Sequence, residues 1–209
     1  MYANQRMRLP ANERREAILT NAIQLFADKG FRGTTTRELA AAVGVSEPVI
    51  YQHFATKSDL YEAILERQSL QSTSLGPWPD GGFGSDAETF LALGKLIWSW
   101  YEQDRTLSRL LFFSALEGHE LSDIFFARHA RGFTDQISAH IQTRIDAGVF
   151  RPVDADTVAS CFIGMVAHDA ESVTMFHFDP KKTSREQRLN DMVDLFLRGV
   201  VLHPIGASE

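Results

Sequence analysis

The chain has 209 residues, 44% of them hydrophobic and 23% charged, which suits a buried core and excludes a disordered, charge-swollen chain. Its longest apolar stretches, such as Leu39–Val45 and Cys161–Ala167, reach 7 residues, whereas a membrane-spanning helix needs about 20. The first residues lack the apolar run of a secretory signal, and a single cysteine, Cys161, excludes an internal disulfide or a multi-thiolate metal site, so a cytoplasmic protein with no membrane partner is expected.

The net charge of −6 is unevenly spread. Residues 1–67 hold 9 Lys and Arg against 8 Asp and Glu, whereas residues 68–209 hold 12 against 19. Arg6, Arg8, Arg14 and Arg15 make a locally basic arm that suits phosphate contact, while the acidic remainder would stay off DNA. Only 3 of the 15 Phe and none of the 3 Trp lie in the first 67 residues, so the two parts are built for different work.

Strand signals are nearly absent and helical spacing recurs, which predicts an all-α fold. A first helix runs from about residue 10–12 to Lys29, with Ile18, Ala22, Leu25 and Phe26 as its apolar stripe and Gly30 as its stop. Thr35 with Glu38 three residues on forms a capping box for a short second helix ending before Gly44. Ser46 is placed to cap a third, with Pro48 in its first turn. A fourth begins near Lys57. Residues 70–84 hold four Gly and two Pro and read as a linker. Later helices are expected at 85–103, 105–117, 120–147, 154–177 and 183–202, with Ser85, Asp154 and Thr183 or Ser184 as caps and Gly148 as a stop.

The segment from Gly30 to Leu60 carries the clearest signal. Two short helices flank Gly44-Val45-Ser46, and Ala40, Ala41 and Ala42 allow them to approach closely, which is a helix-turn-helix pattern. Gly30-Phe31, Thr34-Thr35, Leu39-Ala40, Val43-Gly44-Val45-Ser46, Ile50-Tyr51, His53-Phe54, Lys57 and Leu60 together resemble the DNA-binding domain of the TetR/AcrR family of transcriptional regulators. Leu39 and Val43 replace the commoner Ile and Ala of that pattern. The resemblance implies an N-terminal helix-turn-helix domain, residues 1–56, and a C-terminal helical domain, residues 57–209, whose first helix, 57–69, connects the two. It further implies that the C-terminal domain binds a small molecule and dimerises through its last two helices.

The candidate DNA-binding residues are Thr35, Glu47, Pro48, Val49, Tyr51, Gln52, His53 and Lys57. Thr35 lies at a helix N-terminus, where backbone N–H groups favour a phosphate. Tyr51 and Lys57 match family positions that reach the DNA backbone. Gln52 suits adenine, and Val49 or Pro48 a thymine methyl. Ile50 and Phe54 read as core.

The candidate ligand residues are Trp98, Tyr101, Phe113, Phe125, His129, Phe133, Met165, His168 and Asp169. Aromatics exceed what a plain core needs, and His129 and His168-Asp169 are polar within apolar runs, so a small, largely apolar or aromatic effector is expected. Polyanions are disfavoured because helices 85–103 and 154–177 supply only Lys95 as a cation. Phe162, Met165, Val166 and Val173, with Met192, Val193, Leu195, Phe196 and Val200, are expected at a homodimer interface, where Gly164 allows close approach.

The expected function is a repressor released from a palindromic double-stranded operator by this effector, with no cofactor, no metal and no catalytic residue. A second reading is a helical metal-dependent enzyme or ligand carrier with an accessory helix-turn-helix, using His119, His168 and neighbouring acids. It is weakened because His119-Glu120-x-x-Asp123 lacks a second His.

Overall fold

A computed structural model describes residues 10–72, 83–103, 105–118, 123, 127, 130–178 and 183–202. The basic residues Arg6 and Arg8, most of the expected linker, His119, Glu120, Phe125 and His129 lie outside the described residues. Among the described residues the regular structure is helical: α1 Ala11–Gly33, α2 Thr36–Val43, α3 Glu47–His53, α4 Lys57–Ser72, α5 Asp86–Gln103, α6 Arg105–Glu117, α7 Arg131–Asp146, α8 Ala155–Thr174 and α9 Arg185–Val200. The expected all-α fold is observed.

The chain divides into two compact units, one of residues 1–74 and 106–125, the other of residues 75–105 and 126–209. This division differs from a cut at residue 56. The helix at 57 belongs with the N-terminal helices, and so does α6.

In the first unit the stripe of α1 is buried at Ile18, Leu19, Ala22, Ile23, Phe26 and Ala27. Leu39 and Ala40 of α2, Ile50 and Phe54 at α3, and Leu60, Tyr61 and Ile64 of α4 are buried as well, α1 packing on α2 and α4 and α2 on α3. The Phe26 and Tyr61 rings meet edge-on, 4.8 Å between centroids, and Phe31 lies 4.9 Å from Tyr61. Gly30 breaks the regular path of α1 with φ 74° and ψ 173°, a conformation costly for any side chain bearing Cβ.

In the second unit α8 packs against both α5 and α7, and α9 packs on α5 and α8. Phe90, Phe162 and Phe196 form an aromatic triad with centroids 4.7–5.0 Å apart. An added methyl at Gly94 would stand 3.1 Å from Leu189, so glycine here allows α5 and α9 to approach. Ser85 with Glu88, Asp154 with Thr157 and Ser184 with Gln187 form the expected caps. Gly148, with φ 70°, follows the end of α7.

The second unit corrects part of the set of apolar residues expected at an interface. Phe162, Val166, Val193 and Val200 lie in its own buried core, and Phe196 closes the aromatic triad. These side chains are needed at home because four helices enclose only one core. Leu195, 67% exposed, is the large apolar residue of that set which faces outward.

Candidate nucleic-acid interface

The turn from α1 to α2 is built from opposed polar groups. Thr34 Oγ1 donates to the Gly30 carbonyl at 2.8 Å. Lys57 Nζ donates to the carbonyl oxygens of Phe31 at 2.7 Å and Thr34 at 3.0 Å, and stands 4.0 Å from the Phe31 ring centroid. Desolvation lowers the Lys57 pKa from its ordinary value, against the opposing attraction of Glu117.

Thr35 then starts α2 through the expected capping box. Its hydroxyl accepts from Glu38 N–H at 3.2 Å, and the Glu38 carboxylate accepts from Thr35 N–H at 2.9 Å. Lys29 lies 2.6 Å from the same carboxylate. Its hydrogen bond, followed by those of Thr35, pulls the Glu38 pKa down to about 2. Gly44 ends α2 in the left-handed region, φ 75°, and its N–H points back to the carbonyls of Ala40 and Ala41. Ser46 occupies the N-cap position of α3 in extended conformation, but its hydroxyl makes no cap hydrogen bond; its carbonyl accepts from Val49 N–H at 2.9 Å.

This frame fixes α3 with Ile50 and Phe54 turned inward. Pro48, Tyr51 and Gln52 are exposed, and Glu47, Val49 and His53 half-buried. Tyr51 is 49% exposed, and its hydroxyl lies 3.1 Å from Thr36 Oγ1, so it joins the start of α2 to α3. Lys57 departs from the expected picture: its ammonium is drawn into the α1–α2 turn and keeps one N–H beyond the two carbonyls. Arg37, exposed on α2, was absent from the sequence-derived set although it directly follows the Thr35-Thr36 pair.

The expected ligand residues are distributed differently. Trp98, Tyr101, Phe133 and Met165 lie in or against the second unit's core. Trp98 Nε1–H donates to Asp169 Oδ2 at 3.2 Å, and Arg188 Nε donates to the same oxygen at 3.1 Å. Arg188, only 9% exposed, also donates to the Thr183 carbonyl and stands 5.6 Å from the Trp98 ring. Asp169 is therefore polar within an apolar helix because it neutralises a buried arginine. No local spacing could have indicated that partner. Tyr101 donates to Glu171 at 2.9 Å, and burial raises its phenol pKa. His168 is exposed on α8. Phe113 belongs to the first unit, where its ring lies near Gly30. A cleft of about 310 Å³ elsewhere in the second unit is lined by Asp135, Ser138, Gln142, Asp154 and Asp156.

A short α2, a left-handed glycine corner and an α3 with one face buried and the other presenting polar and aromatic side chains define a helix-turn-helix DNA-binding protein. The family model for bacterial regulatory proteins of the tetR family matches residues 18–64, and that for the C-terminal domain of AefR-like transcriptional repressors matches residues 100–199. The chain belongs to the TetR family of transcriptional regulators.

It is similar to the transcriptional activator FasR of Mycolicibacterium smegmatis, 47% identical over 60 residues, a match spanning 29% of this chain and 27% of that protein. The uncharacterized regulator YvkB of Bacillus subtilis is 26% identical over 199 residues, covering 91% of this chain and 97% of YvkB. Among solved structures, AibR in complex with isovaleryl coenzyme A and operator DNA has a TM-score of 0.64 at 24% identity, covering 87% of this chain and 97% of that one. A regulator from Saccharomonospora viridis in complex with choline reaches 0.68 at 20% identity, covering 92% and 100%. These relatives are regulators, which disfavours the enzyme reading. No described helix is long and apolar enough to cross a membrane.

Proposed function

We propose that the chain is a dimeric cytoplasmic repressor that binds a near-palindromic operator and is released by a small, mostly apolar or aromatic effector. The observation that carries the DNA reading is the exposed Pro48–Tyr51–Gln52 surface on a helix held from behind by Ile50 and Phe54. Thr35, Tyr51 and the remaining N–H of Lys57 serve phosphates, with Arg37 as an added cation, while Glu47, Pro48, Val49, Gln52 and His53 lie on or beside the base-reading face.

One seven-residue helix makes few base contacts, so two subunits are needed for useful specificity. The outward face of α8 and α9 suits that pairing: Ser160, Cys161, Gly164 and His168 are exposed with Leu195, and space is open beyond Gly164 and Gly199. The effector site is assigned to the second unit around Tyr101, Phe133 and Met165. Neighbours of this fold are seen with isovaleryl coenzyme A and with choline, which supports a small-molecule effector.

Genomic binding selection with the full-length protein tests the reading and should recover a near-palindromic site. Tyr51→Ala should weaken binding to every sequence, and Gln52→Ala should shift base preference more than affinity. Absence of any enriched site would sink the assignment. A thermal-shift screen of aromatic and short acyl compounds tests the effector class.

A further inference from the structure

Phe31 and Arg32 follow the left-handed Gly30, where α1 departs from helical geometry. Both amide N–H groups are collected by one side chain from 85–86 residues away: Glu117 Oε2 accepts from Phe31 N–H at 3.0 Å and Arg32 N–H at 3.2 Å. Glu117 is the last residue of α6, which belongs to the same compact unit. A carboxylate at a helix C-terminus opposes the helix dipole, so its own helix does not favour it there. Arg109, two turns earlier on α6, donates from Nε to the Ala27 carbonyl at 3.0 Å, giving α6 a second hold on the end of α1. The other face of the turn is held by Lys57, which takes the carbonyls of Phe31 and Thr34. The turn is thus gripped between a carboxylate on its amides and an ammonium on its carbonyls, and the next residue, Thr35, caps α2.

We propose that Glu117 is a positioning residue for DNA recognition: its carboxylate fixes the α1–α2 turn, and through it the Thr35 cap and the angle at which α2 and α3 meet DNA. Gly30 is the necessary counterpart. A methyl there would collide with the Glu117 carboxylate as well as strain the left-handed backbone. The inference rests on the operator-binding reading, and its test separates the two.

The full-length wild type, Glu117→Ala and Glu117→Gln are compared by amide hydrogen exchange and by affinity for the duplex that the wild type selects. Glu117→Ala should speed exchange at Phe31 and Arg32 about tenfold, with residues 18–27 of α1 remaining protected, and weaken the duplex about tenfold. Glu117→Gln keeps the shape and one acceptor oxygen, so it should fall between. Gly30→Ala should weaken binding strongly in the wild type and less in Glu117→Ala, where the carboxylate is gone and the backbone strain and the tight approach to Phe113 remain. Unchanged exchange at the two amides, equal loosening of α1, or full duplex affinity in Glu117→Ala would each overturn the proposal. A wild type that selects no duplex overturns the operator reading instead, and the exchange measurement alone then decides the grip on the turn.

Discussion

The first unit displays much of its polar chemistry on the surface, whereas the second takes an ion pair inside. Around α2 and α3, Thr35, Tyr51 and Gln52 are exposed, with Thr35 and Glu38 joined in a local capping box and the turn before them gripped by Lys57 and Glu117. In the second unit Trp98, Asp169 and Arg188 join three helices across a mostly buried contact. Removing an exposed cap leaves its partners in water, so stability changes little and binding geometry can change much. Removing a buried partner leaves a charge without compensation, so stability suffers first.

The sharpest way to break that contrast is Trp98→Ala. The ring is 2% exposed, so truncation should cost about 3–5 kcal/mol in denaturant unfolding, from lost burial and the cavity left behind. A role confined to ligand binding would instead reduce induction with stability unchanged. Asp169→Ala comes next. It removes the carboxylate that Arg188 and Trp98 share while Arg188 keeps the Thr183 carbonyl, and with residual solvent at both side chains the loss should be about 2–3 kcal/mol. Replacing both partners together, as Asp169→Leu with Arg188→Met, should recover most of that loss if desolvation dominates. Thr35→Ala should cost only about 1 kcal/mol in thermal unfolding, the usual worth of an N-cap, yet weaken DNA binding for every sequence.

The same contrast explains what was legible in the sequence. Thr35-x-x-Glu38, Gly44 and the inward Ile50 and Phe54 are local patterns, because a cap or a turn is decided within a few residues. Ser46 shows the limit: the right residue stood at the right place without using its hydroxyl. The Asp169–Arg188 pair joins different helices, and Glu117 reaches its amides across 85–86 residues, so no spacing rule announces either. Lys57 was visible as a cation, but its turn toward the carbonyls of Phe31 and Thr34 depends on the tertiary path of α1. Phe162, Val166, Val193 and Val200 are core residues of their own unit, which local spacing does not reveal because it does not show how many neighbours each helix must satisfy.

The smallest expected effect tests the capping box at the start of α2. Glu38 is only partly covered, yet hydrogen bonds from Lys29 and Thr35 hold its carboxyl at about 2, below the ordinary 4.5. A depressed folded-state pKa means that the native state binds fewer protons than the unfolded chain. The resulting stabilisation is present above pH 4.5 and fades as pH falls toward 2. Glu38→Gln removes this titration. The wild type should therefore be more stable than the variant at neutral pH, by a margin that shrinks through the acid window. Added salt should narrow the margin at neutral pH by screening the exposed Lys29 partner, leaving the capping hydrogen bonds as the remainder. Equal melting temperatures for the two proteins throughout that pH range would show that the box does not contribute through the charged carboxylate. The Thr35 hydroxyl would then be the only part of the cap with a measurable stabilising role.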